Sequence, residues 1–343
     1  MRRMAASTNK ESALLLTLVA LHLSLFSSCV SAHPPSSSFP LSPTFYAYSC
    51  PNLLSIVRGV LSRAVEREPR MAASLLRLHF HDCFVMGCDG SVLLDDQPGF
   101  TGEKTSNPNR NSARGFEVVD DVKAAVESAC PGVVSCADVL AIIAEQSVEL
   151  TYGPSWTVLL GRRDSTTASL SGSNNDIPPP TSTLAQLIAS FQRKGLSVQD
   201  LVALSGSHTI GNARCTSFRD RLYNFSNTGR PDPSLDQGYL RELQARCPPS
   251  GGDNNIFNLD LHTPTEFDTS YFTNLKFSKG LLNSDQVLFS TPGASTKNLV
   301  STYDFAQDSF FNDFAVSMVK MGNLNPLTGT NGEIRKNCRV VNS

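Results

Sequence analysis

Residues 71–84 read MAASLLRLHFHDCF, an apolar run broken by Arg77, His79, His81 and Asp82. Arg77 and His81 stand four positions apart, so on a helix they share one face, a fixed cation beside a titratable base. A charge in such a run is costly unless something pairs or uses it. The two side chains are therefore either structural, satisfied by backbone carbonyls, or aimed into a common reactive space. Downstream, Ser197 and Asp200 form an S-x-x-D capping pattern, followed by Leu201, Leu204, Ser205 and His208 at helical spacing. His208 extends that apolar stripe, either as a satisfied core residue or as a metal ligand. The ligand reading needs an acid to take its other ring proton, and Asp285 is a candidate that spacing cannot select.

Further helical periodicity covers Leu53–Val65, Met71–Phe84, Phe116–Ala129, Asp138–Leu150, Leu184–Lys194 and Asp200–His208. Near the end, Phe310, Phe314, Met318 and Met321 share a face that stops at Gly322. Strand-like runs are few, Trp156–Leu160 among them, so the fold is expected to be mainly α with very little β. Pro178 to Pro180 marks a possible junction between an N-terminal and a C-terminal lobe. The 343 residues, 40% hydrophobic and 17% charged, suffice for a large core, and a formal charge of -2 leaves no basic surplus for nucleic acid.

The chain begins with Arg2, Arg3 and Lys10, then an apolar run from Ala13 to Phe26 and small residues to Ala32, the pattern of a secretory signal over residues 1–32. The run is shorter than the ~20 residues that span a bilayer, so a soluble, exported chain starting near His33 is expected, with residues 33–42 as a flexible leader. Nine cysteines become eight once Cys29 is removed with the signal, and an even count in an exported chain implies four disulfides. Spacing does not choose among the 105 pairings of eight cysteines. The sequon at Asn224 fits the same compartment. Two clusters of oxygen ligands are candidates for calcium, Asp82, Asp89 and Ser91 in the first and Thr209, Asp260, Thr263 and Asp268 in the second. Neither has EF-hand spacing, and ordinary turns are the alternative.

LLRLHFHDCFVMGCDGSVLLDD at 75–96, SARGFEVVD at 112–120, VSCADVLA at 134–141, LVALSGSHTIG at 201–211, TPTEFDTSYF at 263–272 and the terminal NCRVVNS occur in this order. Together they resemble the secreted plant (class III) haem peroxidases from about Leu41 to Ser343. The resemblance implies a single domain over residues 43–343, in which a distal lobe to about 180 and a proximal lobe from about 181 enclose one haem b. His81 and Arg77 match the distal base and arginine, Phe80 packs between them, and Asn109 orients His81. His208 matches the axial ligand and Asp285 its partner. One calcium site matches Asp82, Val85, Gly87, Asp89 and Ser91, with Glu103 reaching it through water; a second matches Thr209, Asp260, Thr263, the carbonyl of Glu266, and Asp268. The pairings implied are Cys50–Cys130, Cys83–Cys88, Cys136–Cys338 and Cys215–Cys247. Met86 stands where Asn is common and Ser207 where Gly or Ala is common, and neither removes a ligand. Pro178 matches the residue whose carbonyl meets aromatic donors, but Pro179, Pro180 and Thr181 make this entrance individual.

The resemblance further implies a monomeric enzyme of the cell wall and apoplast that reduces hydrogen peroxide while oxidising phenolic donors one electron at a time, serving peroxide removal, oxidative-stress responses and phenolic coupling. His81 would act as base and then acid, with Arg77 stabilising charge on the departing oxygen. Two other readings exist. One is a calcium-stabilised secreted binding glycoprotein without turnover, against which the retained Arg77, His81, Asn109, His208 and Asp285 speak. The other is a zinc site from His79, His81, Cys83 and Cys88, against which export and a disulfide speak.

Overall fold

A computed structural model describes residues 40–343. The expected signal at 1–32, with Cys29, lies outside the described residues, as does most of the expected leader. Its final residue is tied down: Ser42 exchanges both backbone hydrogen bonds with Leu160.

Thirteen α-helices and one two-stranded sheet make up the regular structure of the described residues, with short 3-10 turns between. Leu53–Arg67 (α1), Met71–Val85 (α2), Phe116–Ala129 (α3) and Cys136–Leu150 (α4) form the N-terminal group. On α1 the buried positions Leu53, Val57, Leu61, Ala64 and Val65 repeat at helical pitch. This stripe faces α3 and α4, while α2 packs along α4. From Cys136 to Val148 every residue of α4 is buried, as expected of a helix that is apolar nearly all round and runs through a core.

Leu170–Asp176 (α5) and Leu184–Arg193 (α6) lead to Val198–Ser205 (α7). Ser197 caps α7 by accepting from Asp200 N, and the Asp200 carboxylate accepts from Ser197 N in return, the reciprocal arrangement expected from the sequence. A 3-10 turn, Gly206–Thr209, continues α7 and carries His208. Arg219–Tyr223 (α8), Gln237–Arg246 (α9), Ser270–Lys276 (α10), Asn283–Ser290 (α11), Thr296–Phe305 (α12) and Gln307–Gly322 (α13) complete the helices. Phe310, Phe314, Met318 and Met321 of α13 are all buried, and α13 packs on α7, α12 and α2. Asp200 adds a polar tie between α7 and α13 by accepting from Ser317 Oγ and Lys320 Nζ.

The strand expected at Trp156–Leu160 is not present; only Leu160 bridges, and the rest of the segment is irregular. The strands that do form are Asn212–Arg214 (β1) and Ile256–Asn258 (β2), antiparallel with Ala213 opposite Phe257. They sit beside a satellite core containing Phe218, Leu222, Leu240 and Phe257. The main core is continuous from Tyr46 to Cys338. Four disulfides join Cys50 to Cys130, Cys83 to Cys88, Cys136 to Cys338 and Cys215 to Cys247, the pairings that the resemblance implies. Asp164 caps α4 from a distance, accepting from the backbone N–H groups of Cys136, Ala137 and Arg335.

Gly206 has no room for a side chain. A Cβ there would lie 2.4 Å from Phe310 Cε2 and 2.9 Å from Phe272 Cζ. Gly206→Ala should therefore cost about 1–3 kcal/mol, the usual range for an overpacked core. It should also displace the turn that carries His208. Thermal denaturation checks the first expectation, and a stability equal to the parent's would show that the aromatic cluster yields.

Candidate active site

Four residues of α2 interrupt its burial. Ala73, Ser74, Arg77 and Phe80 are partly accessible, while Leu75, Leu76, Leu78, His79 and Asp82 are buried. They lie on the face that also carries His81, so this face is left partly uncovered by its neighbours.

The orientation of His81 is fixed by three links. Asn109 Nδ2 donates to the carbonyl of Glu103 at 3.0 Å and to Ser173 Oγ at 3.3 Å, which turns Oδ1 of the amide toward His81 Nδ1. An acceptor at that position requires Nδ1 to carry the proton, leaving the Nε2 lone pair free. Arg77 Nε donates to it at 3.1 Å. Burial first, then the Arg77 charge, pushes the His81 pKa well below that of a free histidine, against the smaller opposing effect of Asn109. His81 is thus a neutral acceptor at physiological pH. Phe80 packs on His81 with ring centroids 5.6 Å apart and on Phe84 at 4.2 Å.

Arg77 is held by a residue that the sequence did not single out. Its Nη2 donates to Ser112 Oγ at 3.0 Å and to the Pro108 carbonyl at 2.7 Å, and its Nη1 donates to the Ser112 carbonyl at 3.0 Å. Ser112 opens the SARGFEVVD stretch, but nothing in its spacing from Arg77 announces the contact.

On the other side, His208 Nδ1 meets Asp285 Oδ1 at 2.9 Å. The side chain of His208 is 36% accessible although Gly206 and Thr209 beside it are buried, and among the described residues no protein group hydrogen-bonds its Nε2. Burial disfavours charge on this ring, but Asp285 outweighs it and raises the pKa overall. An imidazole with one nitrogen held by a buried carboxylate and the other free is the arrangement of a histidine metal ligand. These residues fit a metal, haem iron included, that would be held through His208 Nε2.

A family model described as peroxidase matches residues 57–306. Among curated relatives, peroxidase 15 of Arabidopsis thaliana is 59% identical over 303 residues, covering 88% of this chain and 89% of the relative. Peroxidase 49 of the same plant is 60% identical, covering 88% and 91%. Peroxidase 15 of Ipomoea batatas is 53% identical over 326 residues, covering 95% and 98%.

The chain belongs to the plant class III haem peroxidases.

It is a haem-dependent oxidoreductase that uses hydrogen peroxide and reducing donors. Each expected calcium cluster includes the residue that directly follows one of its two histidines, Asp82 after His81 and Thr209 after His208. Behind His81, the carboxylates of Asp82, Asp89 and Glu103 are all buried. Burial first, and then the charge of Asp89, holds Asp82 well above the usual carboxylate range; Glu103 is pushed up to about 7, again mainly by burial. Ser91 Oγ and Glu103 Oε2 are buried without a hydrogen-bond partner. Three sequestered acids and two orphaned oxygens fit a divalent cation of oxygen preference. Gly87, at φ +132°, permits the loop: a Cβ there would lie 2.5 Å from the Asn325 carbonyl. The Val85 carbonyl accepts from Lys194 Nζ at 3.3 Å, which leaves its second lone pair for a further partner. Met86 caps the end of α2 and packs against the core.

Behind His208, Thr209 Oγ1 donates to Asp268 at 2.9 Å and Asp260 at 3.3 Å, and Thr263 Oγ1 donates to Asp268 at 2.7 Å and Asp260 at 3.1 Å. Two carboxylates and two hydroxyls thus converge. Glu266 is exposed at this loop, its N–H donating to the Thr263 carbonyl.

The zinc alternative fails on its ligands. His79, Cys83 and Cys88 are grouped, but both sulfurs are spent in a disulfide, which leaves His79 as the one available ligand of the three. His81 is not part of that group. At the expected donor entrance Pro178 is partly accessible, and among the described residues no donor reaches its carbonyl, whereas the Pro179 carbonyl accepts from Ser182 and that of Pro180 from Ser284. No helix of the described residues is long and apolar enough to cross a membrane.

Proposed function

We propose that the enzyme couples one hydrogen peroxide to two phenolic molecules, giving two waters and two phenoxyl radicals, with His81 as proton carrier, Arg77 as charge stabiliser and His208 as axial ligand of a single haem b. The observation that carries this reading is the Glu103–Asn109–His81 chain, which leaves Nε2 of His81 as an acceptor beside a guanidinium. When bound, haem supplies the iron at which peroxide oxygen is activated and the redox equivalents that the donors later restore.

His81 takes the first peroxide proton at Nε2, where Arg77 Nε now donates, so the guanidinium must yield that lone pair as peroxide enters. The same nitrogen then delivers the proton to the departing oxygen, and Arg77, still held by Ser112 and Pro108, offsets the charge developing there. Asn109 keeps the ring from rotating through both transfers. Asp285 draws on the Nδ1 proton of His208 and so raises its basicity toward a metal. Asp285→Asn should shift the iron reduction potential upward, measurable by spectroelectrochemistry, and a potential unchanged within error would refute the partnership.

Two calcium ions complete the proposal: one held by Asp82, Val85, Gly87, Asp89 and Ser91 with Glu103 through water, the other by Thr209, Asp260, Thr263, Glu266 and Asp268. The free Pro178 carbonyl supports a docking point for aromatic donors. Residues 1–32 would direct secretion to the wall space, where a monomer glycosylated at Asn224, in two lobes meeting near Pro178–Pro180, couples wall phenols and removes peroxide. Neither nucleic acid nor a membrane would be a partner. Reconstitution tests the whole reading: a Soret band near 400 nm and turnover across a panel of phenols are expected, whereas haem binding without turnover would favour the non-catalytic glycoprotein.

A further inference from the structure

Asp285 does not serve His208 alone. Tyr271, on α10, is 1% exposed, and its hydroxyl donates to Asp285 Oδ1 at 3.1 Å, the same oxygen that meets His208 Nδ1 at 2.9 Å. The two rings stand almost perpendicular, with centroids 6.3 Å apart. Tyr271 also meets Phe272 edge-on at 5.0 Å, and among the described residues Asp285 is the one hydrogen-bond partner of its buried hydroxyl. The carboxylate lies in the first turn of α11 and is itself almost wholly buried.

A buried carboxylate oxygen with two donors divides its charge between them, because each hydrogen bond withdraws electron density from the acceptor. The stronger the phenol's donation, the less Asp285 draws on the imidazole proton. We propose that Tyr271 is a positioning residue that moderates the electron donation of His208 by sharing Asp285 Oδ1. This rests on His208 being the axial ligand, and it assigns to Tyr271 an influence on the iron without contact with haem, peroxide or donor. The local sequence, Thr269-Ser270-Tyr271-Phe272, suggests only an aromatic core position.

The test uses the haem-loaded, calcium-replete enzyme with Tyr271→Phe, Asp285→Asn and the double variant. It reads the ferric–ferrous midpoint potential and the iron–histidine stretching frequency of the ferrous form. Tyr271→Phe frees Asp285 for His208, so the potential should move to more negative values and the stretch to higher frequency, opposite to both shifts in Asp285→Asn. In the Asp285→Asn background the Tyr271→Phe shift should vanish. If Tyr271→Phe changes neither quantity while Asp285→Asn changes both, the moderating role is wrong and the axial assignment stands. An equal shift in both backgrounds would mean that Tyr271 acts through packing, which also overturns the proposal. If Asp285→Asn itself shifts nothing, the His208–Asp285 reading falls and takes the proposal with it. Should Tyr271→Phe not fold, 3-fluorotyrosine at position 271 keeps the shape and strengthens the donor. The expected shifts then reverse sign, and their absence overturns the proposal.

Discussion

His81→Ala should bind haem with an unchanged Soret band and react with peroxide several orders of magnitude more slowly than the parent enzyme. A positioned acid–base group contributes about 10² to 10⁴-fold, and this one also occupies the position from which peroxide is oriented. The variant leaves Arg77 tethered by Ser112 and Pro108, so the charge-stabilising part of the site survives and the loss reads the proton carrier. Stopped-flow absorbance under excess peroxide measures it. A rate within tenfold of the parent would move the base elsewhere. Asn109→Ala should give a smaller loss of the same kind, because the ring remains but its Nδ1 proton has lost its acceptor.

Removal of calcium should have the second large effect. Asp82 follows His81 and Thr209 follows His208, so each proposed ion is one peptide unit from a histidine of the site. Without a cation the first cluster holds three buried acids close together. Their raised pKa values mean that the folded protein holds protons that an unfolded chain would release. Cation-free protein should therefore lose stability as pH rises from the ordinary carboxylate range through about 7, where Glu103 titrates in the folded state. A bound divalent ion reverses this by favouring the charged form. Chelation should lower the melting temperature and peroxide turnover together, with a changed haem spectrum before the helices melt. Ca²⁺ should restore both and Mg²⁺ little, since its smaller octahedral shell suits carbonyl-rich loops poorly. Verified calcium-free protein with full activity and an unaltered spectrum would return both clusters to ordinary turns.

Much of this architecture is written in local pattern. The helix expected at Phe116–Ala129 has those bounds in the structure, because its valines repeat at helical pitch and Gly115 enters it at φ +92°. The α7 cap is legible for the same reason: Ser197 and Asp200 satisfy each other within four residues. The failures are non-local. Trp156–Leu160 has strand-like composition but only one partner residue, Ser42, and a strand needs a neighbour to exist. β1 and β2 are three residues each and pair across more than forty positions of sequence, too short for alternation to register. In the site, residue types pointed to Arg77, His81 and His208, while the identity of their partners came through resemblance. Ser112 and Tyr271 were invisible because a serine in a loop and a tyrosine in an apolar helix carry no spacing signal. Backbone ligands such as the Val85 carbonyl are equally silent, since every residue has one.

The Cys136–Cys338 disulfide and the Asp164–Arg335 contact reach across 202 and 171 positions of sequence to fasten residues 335–338 to the start of α4. A ribosome must translate as far as Arg335 and Cys338 before these contacts can form. A polypeptide halted before Arg335 would keep α2, both histidines and every proposed metal ligand, yet carry an unpaired Cys136 thiol and an Asp164 carboxylate deprived of the Arg335 backbone donor at the head of its most buried helix. Those two defects would chemically mark a chain that lacks residues 335–338, so the arrival of this late-translated segment is recorded at the head of α4.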